Sequence, residues 1–410
     1  MSKSLYLCYF GVREPLVQTQ VLPYLREIMK GGVKISLLTF EPELRRKWTS
    51  EQIKAERDKF AAEGIDWYCL GYHKWPSAPA TAYDIFRGAW FIRRIIQSKK
   101  IDILHGRVHV PTLMGAIARK FSRRKPKLLF DIRGFFPEEY TDAGTWPENG
   151  WLFRSAKRVE RWLLKEADGF VVLTEKARGI LFPESIATGL DQFERPVEVI
   201  PCCVDLERFN APDEAGRAAM REMLGVADRK VVTYVGSFGG WYMTDEMIGL
   251  FAAAHEIDAS TFALILTQRE TEKIVAKLRE AGFSDGDFLV KSVAPDEIAG
   301  YLSAADVAIS LIKACYSKLS SSPTKIAEYL ACGVPIITNR GVGDVAELIE
   351  KNGVGVVIDR FDPESYTTAL RAVGSMGEMR EKCRITAKSE FDLHSIAGKR
   401  YRLLYNILVN

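Results

Sequence analysis

Val307–Asn339 reads VAISLIKACYSKLSSSPTKIAEYLACGVPIITN, and it divides into strand, loop, helix and strand. VAISLI is a short apolar run of the kind that fills a parallel strand, and VPIITN is another. Between them, Ser320, Ser321 and Ser322 are small, Pro323 and Thr324 enter a helix, and Gly333 caps that helix before the next strand. The first-turn N–H groups of such a helix have no intrahelical partners and point outward, which is the arrangement that receives an anion such as phosphate. Lys325 adds positive charge at the same end. Glu328, one turn further on, offers a carboxylate that can accept two hydroxyl hydrogens, as ribose recognition requires. An ordinary capped surface helix has the same local pattern, so the pattern alone leaves both readings open.

Working outward, the same alternation of short apolar runs and longer amphipathic stretches fills the chain twice. In the first half the expected strands are SLYLCYF, KISLLTF, IDWYCL, IDILHG, PKLLFDI and GFVVLT, with helices such as QTQVLPYLREIMKGG and AYDIFRGAWFIRRIIQSKK. In the second they are KVVTYVGS, FALILT, FLVKSV, VAISLI, VPIITN and GVGVVI. Each half therefore reads as an α/β domain with a doubly wound parallel sheet. The strand-like VEVI runs into Pro201, which puts the hinge there: residues 1–200 form one domain and 201–391 the other. An apolar-periodic helix from about residue 392 to 410 follows the last strand.

A length of 410 residues suits two domains, and 47% hydrophobic with 27% charged residues is the balance of a globular protein. A net charge of +4 is small for this length and gives no reason to expect nucleic-acid binding. Seven cysteines in apolar contexts read as reduced thiols in a cytoplasmic protein. The N-terminus lacks the apolar run of a signal peptide, and no stretch is long enough to span a bilayer.

The run SPTKIAEYLACGVPIITNRGVGDVAELI resembles the donor-binding signature of the retaining glycosyltransferases of family 4, which have the GT-B fold: two Rossmann-like domains facing across a cleft. VIPCCVDLERF, YVGSFGGWY and ADVAISLI are similar to further parts of that family. The resemblance implies transfer of a sugar from a nucleotide-sugar to a hydroxyl acceptor, with retention of configuration and without a metal or other cofactor. It implies that the first domain, with the C-terminal helix crossing back to it, binds the acceptor and the second binds the donor. Family members carry two glutamates eight positions apart. Glu328 matches the second, the one that holds the ribose, while Ser320 stands at the first, where it supplies no charged acceptor for the sugar's hydroxyls. The resemblance places Gly236 and Ser237 against the diphosphate. Many relatives have an Arg and a Lys just after that loop, where this chain has Trp241 and Tyr242. Lys325, and Arg269 after FALIL, are the candidates for the missing charge; Gly239 and Gly240 also read as a simple turn.

In the first half, Asp131 and Arg133 follow a buried strand, where relatives often carry a histidine near the reacting carbon. They are read as catalytic with Lys325, Asp131 receiving the acceptor's hydroxyl and Arg133 a phosphate. A buried Asp131–Arg133 ion pair is the equal alternative. His105, Arg107 and His109 share a strand end but offer no third metal ligand, and Arg107 is read as an acceptor contact. Gly11 is assigned to the donor, with Arg13 and Gln18 as polar contacts of the same loop; Arg13 and His73 are assigned to the acceptor side, although the loop of His73, Lys74 and Trp75 reads more readily as surface decoration. The basic residues Arg87, Arg93, Arg94, Lys99, Lys100, Arg119, Lys120, Arg123, Arg124, Lys125 and Lys127, beside Trp90 and Phe91, suit an anionic membrane surface or a solvated helix face equally. Nucleotide-sugar epimerisation or hydrolysis, and a catalytically silent scaffold in polysaccharide assembly, are the competing functions.

Overall fold

The structure, a computed structural model, describes residues 1–209, 213–376 and 379–409. It divides into two compact units, Met1–Pro201 with Leu393–Asn410, and Cys202–Asp392. The first contains β1 (Lys3–Leu7), β2 (Lys34–Pro42), β3 (Ile65–Tyr72), β4 (Ile103–Arg107), β5 (Lys127–Ile132), β6 (Gly169–Val172) and β7 (Val197–Val199). These form one parallel sheet in the order β3-β2-β1-β4-β5-β6-β7. The second contains β8 (Val231–Val235), β9 (Phe262–Leu266), β10 (Phe288–Lys291), β11 (Val307–Ser310), β12 (Ile336–Asn339) and β13 (Gly355–Ile358), parallel and ordered β10-β9-β8-β11-β12-β13.

In both sheets the chain builds outward from the first strand and then returns to its other side. The strand order therefore reverses between β1 and β4, and between β8 and β11. Connections leave a crevice at such a point, outside the carboxyl ends of the strands. The strands read as apolar runs because helices cover both faces. In the second unit Val231, Val235, Leu264 and Leu266 enter one core while Val232, Tyr234, Ala263 and Ile265 enter the other, following the two-residue period of a pleated strand.

Two helices differ from expectation. QTQVLPYLREIMKGG forms Pro15–Gln20 and Leu22–Met29, broken at Val21. Pro23 has no N–H for an interior helical bond but fits the first turn of a new helix. The C-terminal segment begins as a wide helical turn, Leu393–Gly398, before the regular helix Lys399–Val409. A Cβ on Gly398 would stand 2.6 Å from Glu27 Oε2 and 3.0 Å from Glu27 Cβ, so a side chain there would push the Glu27 carboxylate out of its place against the turn. The segment packs on the first unit. Buried Glu27 accepts from His394 Nδ1 (2.7 Å) and Arg402 Nη1 (2.9 Å), and the Tyr405 hydroxyl lies 3.2 Å from Ser4 Oγ.

Candidate functional site

At the switch point of the second unit, β11 pairs with β8 only through Val307 and Ala308, opposite Val232 and Thr233. The carboxyl end of β8 thus loses its neighbour, and the Tyr329 hydroxyl takes its place by accepting from Val235 N at 2.8 Å. Tyr329 belongs to the helix Thr324–Ala331, which packs Ile326, Ala327 and Leu330 into the core on the Val231–Val235 side. Lys325 instead reaches Tyr234, which belongs to the opposite core. Its Nζ donates to the Tyr234 hydroxyl at 3.0 Å and lies 4.2 Å from the ring centroids of both Tyr234 and Tyr242. Tyr234 in turn donates to the Ser237 carbonyl at 2.5 Å, so one hydroxyl ties the lysine to the loop after β8. Gly236 in that loop has φ +139°, and a Cβ there would stand 2.8 Å from Lys325 Nζ. The backbone conformation favours glycine, and a side chain there would also displace the Lys325 ammonium.

Gly239 and Gly240 form a turn, with φ +74° and +60°. It folds the next residues against the loop after β11, where Lys313 N donates to the Trp241 carbonyl at 2.8 Å. Tyr242 is thereby laid against Lys325, and Trp241 against Lys318, whose Nζ is 4.1 Å from the indole centroid. The two aromatics that stand where relatives carry cations are seats for cations from another segment, each contact worth about 0.5–2 kcal/mol. Lys318, Tyr234 and the seating role of Trp241 and Tyr242 have no counterpart in the sequence reading. Arg269 stands exposed in the loop after β9.

Burial pulls the Lys325 ammonium down to about 7, opposed by the nearby Glu328 carboxylate. Burial also pushes Glu328 up to about 7, opposed by Lys325 and Arg208. Glu328 keeps part of its surface, so a ligand can reach it. Ser320 is 1% exposed and its hydroxyl donates to the Ser317 carbonyl at 2.8 Å; it braces the loop. Ser322 Oγ accepts from Cys202 N at 3.0 Å. Ser321 and Thr324 are half-buried beside Pro323, and no side chain caps the helix.

The corresponding edge of the first unit is built differently. Asp131, at the end of β5, is fully buried and faces Arg133 (3.7 Å), Arg107 (3.9 Å), His105 Nε2 (3.4 Å) and the donating Tyr401 hydroxyl (3.1 Å). Although burial opposes it, this positive surround, with Arg133 the largest contributor, holds the carboxyl down at about 2. Arg107 is itself 4% exposed and donates to the Gln20 carbonyl at 3.2 Å. The expectation that Asp131 and Arg107 present themselves to an acceptor is thus corrected. Neither has the surface to do so, and of the two readings of Asp131 and Arg133 the geometry is that of the ion pair. His109 is likewise buried, 3.0 Å from Glu160, and does not converge with His105.

Gly11 follows β1 where a Cβ would meet Pro42 Cδ at 2.8 Å, and buried Glu41 accepts from Val12 N at 2.9 Å beneath it. Gln18 Nε2 donates to the Val12 carbonyl at 2.7 Å. Arg13 lies over Trp48, 3.8 Å from the ring centroid. His73 is half exposed, with Nδ1 held at 2.6 Å by buried Asp84, which also accepts from Tyr9 at 2.8 Å. A depression of about 970 Å³ elsewhere in this unit includes Arg119, Arg158, Trp162 and Arg195. It lies at the amino end of β6, and two of its arginines are already paired, Arg119 with Asp168 and Arg195 with Asp191.

Two Rossmann-like parallel sheets in one chain define the GT-B class, and solved structures share the fold over the full length. A glycosyltransferase from Rickettsia africae is 16% identical with a TM-score of 0.71, covering 100% of this chain and 99% of that one. Anabaena HepE, solved with UDP, is 16% identical with a TM-score of 0.68, covering 98% and 100%. The family model for Glycosyltransferase Family 4 matches residues 30–208, and that for Glycosyl transferases group 1 matches 217–390. The chain is a GT-B glycosyltransferase by family.

Among curated proteins, 2-deoxystreptamine glucosyltransferase of Streptomyces kanamyceticus is 28% identical over 197 residues, 47% of this chain and 48% of the relative. A GDP-mannose-dependent phosphatidylinositol monomannoside mannosyltransferase of Mycolicibacterium smegmatis is 27% identical over 177 residues, 42% of this chain and 46% of the relative. The matches thus span about half the length of these relatives. No helix among the described residues is long and apolar enough to cross a membrane.

Proposed function

We propose that the chain transfers a glycosyl group from a nucleotide-sugar to a hydroxyl acceptor with retention of configuration and without a metal. The observation that carries this reading is the buried Lys325 ammonium, held by two tyrosines against the glycine loop at a switch point, one turn before Glu328. A diphosphate placed there meets Lys325, the open first turn of the Thr324–Ala331 helix and the loop of Gly236 and Ser237, and Glu328 takes the ribose hydroxyls. As the bond from the sugar's anomeric carbon to the phosphate oxygen breaks, charge grows on the leaving diphosphate and Lys325 stabilises it. The acceptor oxygen bonds to the same face of that carbon, and its proton passes to the departing phosphate. Asp131 acts as a positioning residue that keeps Arg133 and Arg107 in place.

UDP- and GDP-sugars are the first donors to test, since HepE was solved with UDP and one sequence relative uses GDP-mannose. A sugar or lipid-linked hydroxyl is the acceptor class, and assembly of a cell-surface polysaccharide or glycolipid is the setting. Proton NMR of the product, formed with chelator present, is the test. An anomeric coupling that matches the donor is expected; an inverted one, or dependence on added metal, would overturn the mechanism. Ser320 favours a second reading, a protein that binds the nucleotide-sugar without transferring it, because its hydroxyl is spent on Ser317. Donor binding without turnover over a broad acceptor library would establish that reading.

A further inference from the structure

The Ser77–Lys99 helix of the first unit buries Ala80, Asp84, Gly88, Ala89, Ile92, Ile95 and Ile96. At about 100° per residue the side directly opposite carries Tyr83, Phe86, Trp90, Arg93, Arg94 and Gln97. A helix facing only water places charged and polar residues there. Here Tyr83 is 56% exposed, Phe86 69% and Trp90 52%. Trp75, just before the helix, is 87% exposed, and Phe121, whose carbonyl accepts from Arg93 Nε at 2.7 Å, is 68% exposed. Scattered exposed aromatics need no explanation, but a row at i, i+3 and i+7 on one helix is a surface.

Its charge is one-sided. Lys74 to Ile101 contains Lys74, Arg87, Arg93, Arg94, Lys99 and Lys100 against a single acid, Asp84, which is buried and bonded to Tyr9 and His73. Arg94 lies 3.4 Å over the Trp90 ring, so cation and aromatic form one outward-facing unit. Arg123, Arg124 and Lys125 continue the positive flank after Phe121; of these, Arg124 is paired with Asp102.

We propose that this face docks on an anionic lipid bilayer, with Tyr83, Phe86 and Trp90 entering the headgroup region and Arg93, Arg94 and the flanking cations meeting lipid phosphates. The helix then lies in the plane of the interface, as an amphipathic helix with an aromatic row and basic flanks does. A predominantly positive flank, in which Lys99 is paired with Asp66 and Arg124 with Asp102, around a straight aromatic row matches an extended negative plane better than the mixed charges of a protein partner. The inference goes beyond sugar transfer and does not depend on it, because lipid binding is read without turnover.

Co-sedimentation with vesicles at low salt tests it. The full chain binds vesicles of phosphatidylcholine mixed with phosphatidylglycerol in equal parts and not phosphatidylcholine alone. Phe86→Ser with Trp90→Ser, and separately Arg93→Glu with Arg94→Glu, each weaken partitioning on the order of tenfold. Trp151→Ser, at another exposed aromatic, changes nothing. Unchanged melting temperatures show that the variants fold, and Phe86→Ser alone gives a smaller loss in the same direction. Failure of the wild type to bind the anionic vesicles overturns the proposal. So does retained binding after loss of the aromatics, or displacement of the protein from vesicles by a single-stranded oligonucleotide.

Discussion

Asp131 and Lys325 both lie at the carboxyl edge of a parallel sheet, both are buried, and their surroundings treat their charge in opposite ways. Around Asp131 the protein supplies Arg133, Arg107, His105 and Tyr401, and the carboxyl is held down at about 2. Around Lys325 it supplies two aromatic faces, one hydroxyl and a partly exposed Glu328, and the ammonium falls to about 7. A buried charge whose counter-charges are all internal serves the fold. One whose counter-charge is largely withheld is ready for an anion that arrives from outside, and the diphosphate of a sugar donor is that anion in the function proposed here.

Breaking the two sites separately sharpens this contrast. Asp131→Ala removes the buried carboxylate that Arg133 and Arg107 face and should cost about 3–5 kcal/mol of stability, read as a lower denaturant midpoint. Since the folded carboxyl lies below its ordinary 3.8, its contribution is complete above that pH and disappears as pH falls toward about 2. A midpoint that stays at the wild-type value would mean that the cluster does not support the fold. Lys325→Met should leave stability unchanged or raise it, because it removes a poorly solvated charge. It should lower kcat/KM for the donor by about 10²–10³.

Glu328→Gln should raise donor KM by about tenfold through weaker ribose hydrogen bonds, with a smaller change in kcat. Because donor binding needs Lys325 protonated and Glu328 ionised, wild-type kcat/KM should fall on both sides of neutrality. The acid limb follows Glu328 and the alkaline limb Lys325, as the two groups titrate as a pair. A flat profile from about pH 6 to 9 counts against both assignments. The smallest effect belongs to Tyr234→Phe, which keeps the ring under Lys325 but removes the hydroxyl that links it to Ser237. Donor KM should rise several-fold, by about 1 kcal/mol, and unchanged kinetics would show that the link does not orient the lysine.

Much of this molecule is legible in its sequence. Apolar runs such as VVTYV and FALIL and the helical stretches between them carry the two sheets, because parallel strands covered on both faces have to be continuously apolar. Pro201 is the last residue of the first unit's N-terminal segment. The small residues, Pro323, Lys325 and Glu328 mark the helix start at the second switch point. What is not legible depends on partners far apart in sequence. Trp241 and Tyr242 read as lost positive charge until the Gly239–Gly240 turn lays them against Lys318 and Lys325, more than seventy residues away. Asp131 reads equally as a catalytic group or an ion pair until Tyr401, 270 residues away, closes over it. The aromatic row of the Ser77–Lys99 helix is present in the sequence, but only the burial of its opposite side shows that it faces outward.

The donor site itself is tested most directly by isothermal titration of UDP and GDP into the wild type, Lys325→Ala and Glu328→Ala, with melting curves confirming that all three are folded. The wild type should bind one of the two nucleotides, Lys325→Ala should bind it at least about tenfold more weakly, and Glu328→Ala should lose affinity as well. If both variants bind that nucleotide as tightly as the wild type does, the donor is held elsewhere and the assignment of the Ser320–Gly333 segment is wrong.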